Sequence, residues 1–135
     1  MNDLAKLLAG LAGLADAATS PRLVGVGWAT VDIERTARDL AAADLDAVAD
    51  DELLGARSWR TTSGPISLVL LEPITEGRLA AALARRGEGI VALYLRSDEP
   101  IGGVLGRTAL GVPGRLMPQT HPWGPFVILV EAGPR

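Results

Sequence analysis

Apolar and polar positions follow a regular order through the middle of the chain. An apolar run over 66–72 has the length of a strand, and leucines at helical spacing follow over 74–86. Gly87 and Gly89 end the helical pattern, and a second apolar run occupies 90–95. The pattern predicts a strand, a helix and a strand with short connections.

The first residues of the chain carry a leucine stripe. Leu4, Leu7, Leu8, Leu11 and Leu14 recur every three or four residues, which predicts an amphipathic helix. We expect residues 1–21 to form this N-terminal unit, ahead of a domain over 22–135. Its apolar face could pack on the domain, pack on a second copy of the chain, or cover a binding site as a lid.

The segment after this helix predicts a strand, a cap and a second helix. Residues 23–30 are apolar enough for a strand, and Asp32 stands where a helix N-cap accepts backbone N–H bonds. The helix is expected from Ile33 to about Leu45. The acidic stretch over 44–54 is expected to be a loop or the fraying end of that helix.

A hairpin and a closing strand complete the predicted elements. Residues 55–62 and 66–72 are expected to pair across a turn at 63–65, with Trp59 and Arg60 on opposite faces. The glycine-rich stretch over 98–109 does not favour a helix.

Composition narrows the classes of function. The 135 residues suit one domain with one core, and 13 basic against 16 acidic residues give a net charge of −3 without a basic patch. Nucleic acid is therefore not an expected partner. The chain has no cysteine, which fits a cytoplasmic location, and the N-terminal stripe is too short to span a membrane.

Three segments together resemble a known family. The residues VGVGWATVDIERT over 24–36, the run from LEP at 71–73 through RGEG at 86–89, and the closing strand over 124–131 are similar to motifs of the vicinal oxygen chelate superfamily. This superfamily contains glyoxalases, bleomycin-resistance proteins and extradiol dioxygenases, and the pattern is nearest to its glyoxalase-like and methylmalonyl-CoA epimerase-like members. The matched segments cover residues 23–131 with gaps.

The resemblance implies an α+β fold of two βαβββ modules whose strands form one curled, cup-shaped mixed sheet. The second module is expected to be abbreviated, because 98–109 lacks a helix pattern. Metal-dependent members bind their ion at positions that correspond to Gly25, Val69, Ala92 and Ile128, none of which offers a donor atom. We therefore expect no metal and no other cofactor.

Strand alternation from these positions predicts the residues that face into the cup. Because this lining is apolar, begins with small residues and has few polar groups, it is typical of a small-molecule site. The predicted ligand-binding residues are Gly25, Gly27, Ser67, Val69, Ala92, Tyr94, Arg96, Phe126 and Ile128.

Candidate catalytic residues are few. Arg96 could anchor a carboxylate or phosphate, although an arginine at a strand end commonly reaches to water. Tyr94 could donate a proton or be an ordinary core residue, and His121 could be a general base or part of a rigid turn with Trp123. Arg85 and its neighbour at the end of the central helix suit the helix dipole.

Three functions remain open at the level of sequence. The first is a metal-free protein that binds a small, partly apolar organic molecule in the cup. The second is a metal-independent lyase or isomerase of the glyoxalase or epimerase type, acting on a small carbonyl or acyl substrate. The third is a structural or dimerising role, which a filled cup would favour. A homodimer is one assembly that the sequence allows in each case.

Overall fold

The computed structural model describes residues 21–42, 44–61, 64–98, 102–119 and 124–131. The predicted N-terminal helix lies outside these residues, and so do His121 and Trp123. Within these residues, two helices and eight strands follow one another in chain order. They are β1 Arg22–Ala29, α1 Ile33–Asp39, β2 Leu45–Asp51, β3 Ala56–Thr61, β4 Ser67–Pro73, α2 Arg78–Arg86, β5 Gly89–Ser97, β6 Val104–Arg107, β7 Pro113–Leu116 and β8 Phe126–Glu131.

All eight strands form one mixed sheet in the order β2-β3-β4-β1-β5-β8-β7-β6. The order is symmetric about the antiparallel pair β1 and β5, since each of these strands also has a parallel neighbour, β4 or β8. The first half is a complete βαβββ module. In the second, residues 98–103 alone connect β5 to β6, so the predicted two-module, abbreviated α+β fold is confirmed.

Three apolar clusters hold the sheet and helices together. The largest cluster, which we call the inner cluster, contains Leu79 and Ala82 of α2 together with apolar residues of the concave side of the sheet, which we call the inner face. The inner face comprises Gly25, Gly27, Ala29, Ser67, Val69, Leu71, Ala92, Tyr94, Arg96, Phe126, Ile128 and Val130. Two smaller clusters lie on the outer face, and one of them packs Ile33 of α1 on Leu68 and Leu70.

The assignment of inner and outer faces from alternation is confirmed for most strand residues. Val24 and Val91 are exceptions, because alternation from Gly25 and Ala92 places them on the outer face, whereas both pack in the inner cluster. The pairing of β1 with β5 shifts register between Gly27 and Trp28, so Val91 is skipped in the ladder and the alternation breaks there. A second shift between Leu23 and Gly25 interrupts the same ladder.

The segment over 40–54 differs from the prediction. The helix α1 ends at Asp39, and Ala41 and Asp44 have φ angles of 50° and 60°, which are incompatible with a continuing helix. The acidic residues that follow form β2, paired with β3. Because β2 is an edge strand with mostly exposed side chains, its sequence lacks the apolar alternation of an internal strand.

Polar side chains fix the entry to α1. Asp32 accepts a hydrogen bond from the Arg35 backbone N–H at 3.1 Å, which confirms the predicted N-cap. Glu72 points away from the inner face and accepts from the Ile33 N–H at 3.1 Å. Glu88 accepts from the Val31 N–H at 2.8 Å and pairs with Arg35. These contacts connect α1 to β4 and to the start of β5.

The two edges of the sheet approach each other at the end of β2. The Glu52 N–H donates to the Arg107 carbonyl at 2.9 Å, and the Arg107 N–H donates to the Glu52 carboxylate at 2.9 Å. Arg60 of β3 also donates to the Leu110 carbonyl beyond β6, at 3.0 Å. The sheet therefore curls far enough for its first and second halves to touch. No helix within the described ranges is long and apolar enough to cross a membrane.

Candidate functional site

The four positions that the resemblance equates with metal ligands are brought together by the sheet register. Gly25 pairs with Tyr94, which pairs with Ile128, while Val69 and Ala92 both pair with Gly27 in the next row. The side chains at these positions carry no nitrogen, oxygen or sulfur donor. They are buried among apolar neighbours, so they do not fit a divalent ion, which needs several such donors.

Elsewhere in the described part of the chain, histidine, cysteine, aspartate and glutamate side chains form no group of three that could hold an ion. The carboxylate of Asp51, which is bonded to Tyr94 of the inner face, already accepts hydrogen bonds from Tyr94, Leu54 and Ala109.

The space left by the glycines of β1 is filled by the protein itself. A Cβ atom built on Gly25 would lie 3.3 Å from Cβ and Cδ2 of Tyr94. On Gly27 it would lie 2.8 Å from Leu71 Cδ1 and 2.9 Å from Ala92 Cβ. The expectation of open room beside these glycines is therefore wrong, because they allow close packing of Tyr94 and Leu71 against β1.

The Tyr94 hydroxyl is part of a buried hydrogen-bond network. It donates to Asp51 Oδ2 at 2.7 Å, and the same oxygen accepts from the Ala109 N–H at 3.1 Å. Asp51 Oδ1 accepts from the Leu54 N–H at 3.0 Å. Both side chains are fully buried. The network connects the centre of the sheet to its two edges. Tyr94 is therefore a core residue whose buried hydroxyl has a hydrogen-bond partner.

Burial changes the acidity of both partners. It raises the pKa of Asp51, and the hydrogen bonds from Tyr94, Ala109 and Leu54 oppose that rise. Burial also raises the pKa of Tyr94 well above its ordinary value, and the neighbouring Asp51 charge adds to the effect. The tyrosine therefore keeps its proton at neutral pH.

Arg96 and Ser67 lie nearer the surface than the other predicted site residues. Arg96 is half-buried and sits opposite Arg22 in the pairing of β5 with β1. Ser67 is half-buried beside Gly25 in the pairing of β4 with β1. The structure therefore does not assemble Tyr94, Arg96 and Ser67 around one accessible point.

The inner face of β3 carries polar groups that sequence reasoning left unassigned. Trp59 packs in the outer cluster, whereas Arg60 pairs with Val69 and faces inward. The Ser58 hydroxyl and the Arg60 Nε are buried and have no hydrogen-bond partner among the protein atoms described. Arg60 instead uses Nη1 to reach Leu110.

A cavity of about 330 Å³ lies between α2 and the second half of the sheet. We call it the α2 pocket. It is lined by Arg78, Ala81, Arg85, Gly103, Val104, Leu116, Met117, Pro118, Gln119 and Phe126. Phe126 is the one residue of this lining that was predicted to bind ligand.

The two walls of the α2 pocket differ in character. Arg78, Ala81 and Arg85 are spaced by three and four residues and therefore share one face of α2. The opposite wall is mostly apolar, with Gln119 as a polar side chain in it, and its Leu116 and Phe126 are almost fully buried members of the inner cluster. The pocket thus combines an apolar floor with a cationic wall.

Sequence reasoning missed this wall for an identifiable reason. The helix dipole accounts for Arg85 by itself, so this residue gave no reason to expect a site. The spacing of Arg78, Ala81 and Arg85, which places a small residue between two arginines on one helix face, could have indicated the wall. The strand β7, which supplies Leu116, could not be predicted from the sequence, because it starts with Pro113-Gly114 and has only four residues.

A second cavity, of about 590 Å³, lies beside the end of β2. Its lining includes Asp50, Asp51, Glu52 and Arg107. Asp51 and Glu52 already accept hydrogen bonds from other parts of the chain. This cavity therefore lies where the two edges of the sheet are joined, and its acidic side chains serve that junction.

Solved structures of other proteins share this architecture. The hypothetical protein BH1468 from Bacillus halodurans C-125 is 18% identical, with a TM-score of 0.68 over 87% of this chain and 98% of that chain. Methylmalonyl-CoA epimerase from Mycobacterium tuberculosis is 20% identical, with a TM-score of 0.65 over 90% of this chain and 93% of that chain.

A Streptomyces coelicolor methylmalonyl-CoA epimerase variant in complex with 2-nitronate-propionyl-CoA is also 20% identical. Its TM-score is 0.66 over 86% of this chain and 100% of that chain. No family model matches the sequence, and no curated protein matches it. The chain therefore has the fold of the vicinal oxygen chelate superfamily, the family that its sequence motifs resemble.

Proposed function

We propose that this protein binds a small, partly apolar organic molecule without a metal ion, and that the molecule occupies the α2 pocket. The main support for this proposal is the composition of the α2 pocket. Phe126 and Leu116 form an apolar surface in it, and polar groups line one wall. Its volume of about 330 Å³ is near the lower end of the range for small-molecule sites, ~300–1,000 Å³.

Two further observations support this placement. The inner-face positions expected to bind ligand, such as Val69 and Ala92, are fully buried in the core, so a ligand reaches the inner cluster only at its margin. Solved proteins of similar fold hold small molecules, including methylmalonyl-CoA in one methylmalonyl-CoA epimerase structure. Function within a fold nevertheless depends on the site, which differs here.

The test uses two alanines of α2. Ala81→Leu places a larger side chain in the pocket, whereas Ala84→Leu makes the same change at an exposed position of the same helix outside its lining. Leucine is nearly as good a helix former as alanine, so both variants should fold. We expect binding of short-chain amphiphiles, measured by calorimetry, to fall at least about tenfold in Ala81→Leu, equivalent to ~1.4 kcal/mol, and to be unchanged in Ala84→Leu.

Binding that survives Ala81→Leu would place the site elsewhere. Binding that appears only after a divalent ion is added would contradict the metal-free part of the proposal.

A structural or dimerising role is the second candidate. The observation that favours it is the filling of the inner face by the protein's own side chains, above all Tyr94. Failure of every short-chain amphiphile to bind, together with a dimer in light scattering, would support this role. The lyase or isomerase alternative has less support, because the Tyr94 hydroxyl is buried and donates to Asp51.

A further inference from the structure

The charged side chains that line the α2 pocket are positive. Two arginines line it, and among the described residues of its lining none is acidic, although the whole chain has 16 acidic residues and a net charge of −3. The two arginines would therefore attract a negatively charged ligand to the α2 pocket.

The guanidinium of Arg85 is available to such a ligand. Arg85 makes no hydrogen bond or ion pair with the part of the chain that the structure describes. Its neighbour Arg86, by contrast, donates to the Gly124 carbonyl at 3.2 Å. The two residues follow each other in sequence, but Arg86 anchors the loop before β8 while Arg85 lines the pocket.

Arg78 is held in place and retains spare donors. Its Nη1 donates to the Leu53 carbonyl at 3.0 Å, which orients the guanidinium. An arginine has five N–H donors, so one such bond leaves several unused. Arg78 therefore contributes positive charge at a defined position.

The helix geometry leaves a place for an acidic group between these arginines. Residues seven apart on a helix are separated by about 10.5 Å along its axis. Ala81 lies between them on the same face, and its small side chain leaves the wall open. The apolar part of a ligand would extend from there across the pocket towards Leu116 and Phe126.

We infer that the ligand of the α2 pocket is a carboxylic acid with an alkyl chain of medium length. Its carboxylate is bound by Arg85, with Arg78 adding charge, and its chain packs on Leu116, Met117 and Phe126. Arginine suits this role because its planar fork can donate two parallel hydrogen bonds to a carboxylate. This inference rests on the proposed function and specifies the chemistry of that same site.

Octanoate and octanamide form a matched pair of probes, because they have the same chain and differ in the charge of the head group. Calorimetric titrations would compare the wild type with Arg85→Gln and with Arg38→Gln, an exposed arginine of α1 outside the pocket lining. We expect the wild type to bind octanoate about tenfold more tightly than octanamide. Arg85→Gln should remove this preference and leave octanamide binding unchanged, whereas Arg38→Gln should preserve it.

Salt supplies an independent readout. Raising sodium chloride from 50 to 500 mM should weaken octanoate binding and leave octanamide binding almost constant, since exposed charges are screened over a few ångströms. Equal binding of the two probes, or the same loss in Arg38→Gln as in Arg85→Gln, would overturn the inference while leaving the proposed function intact. Binding of neither probe would contradict both.

Discussion

Tyr94 packs against the glycines of β1 and donates its hydroxyl proton to Asp51. The small residues Gly25 and Gly27, which suggest an open cavity in the sequence, therefore accommodate a large aromatic side chain. The polar end of that side chain is bonded, as a buried hydroxyl requires. At the scale of residues, the centre of the sheet is a core, and the adjoining α2 pocket is the site that we propose for the ligand.

Removal of the Tyr94 hydroxyl should be costly to stability. In Tyr94→Phe, the buried Asp51 loses a hydrogen-bond donor, and we expect the free energy of unfolding to fall by about 1–3 kcal/mol. Urea unfolding would measure this loss. Octanoate binding should be unchanged, and a variant that kept full stability but lost binding would identify Tyr94 as a ligand-binding residue.

The contributions of Asp51 and Glu88 to folding stability should change with pH in opposite directions. Burial raises the pKa of Asp51 in the folded state, so its contribution to stability is present at low pH and lost as the pH rises from about 4 through that raised pKa. Bonds to the Val31 N–H, Thr30 and Arg35 lower the pKa of Glu88, so its contribution is present above about pH 4.3 and lost as the pH falls through the lowered pKa.

Urea unfolding of the wild type, Asp51→Asn and Glu88→Gln at several pH values would test both signs. The stability advantage of the wild type over Asp51→Asn should shrink as the pH rises. Its advantage over Glu88→Gln should shrink as the pH falls below 4. Parallel profiles for the three proteins would show that neither group titrates as described.

At the scale of elements, apolar strands and capped helices could be predicted, and edge strands could not. The runs that became β1, β4, β5 and β8 are apolar because they form the middle of the sheet, and Asp32 marks the start of α1. β2, β6 and β7 lie towards the edges, where exposed polar residues and glycines hide the strand pattern. The length of α1 was overestimated because its stop depends on backbone angles at Ala41 and Asp44.

The pairing of β1 with β5 also places two like charges together. Arg22 and Arg96 are direct partners in this antiparallel ladder, so their side chains lie on the same face. Replacement of Arg96 by glutamate should convert a repulsive pair into an attractive one and raise stability by about 0.5 kcal/mol at low salt. Thermal unfolding at two salt concentrations would measure this gain, and a loss of stability would show that Arg96 has a favourable partner.

At the scale of the whole molecule, the cup could be predicted from motifs, but the location of its accessible site could not. The walls of the α2 pocket come from α2, β7 and β8, which are distant in sequence and meet only because the sheet curls. Contacts between Glu52 and Arg107 fix that curl. Phe126 is an inner-face residue by alternation along β8, and it also lines the α2 pocket.

One titration tests the central claim most directly. Methyl-labelled, metal-free protein would be titrated with octanoate, and its leucine, valine, isoleucine and methionine signals followed by NMR. Binding in the α2 pocket predicts shifts for Leu116 and Met117, with much smaller changes at Val69 and Ile128. Shifts centred on Val69 and Ile128, or binding that requires an added divalent ion, would contradict the claim that the ligand site has moved from the centre of the cup to its margin.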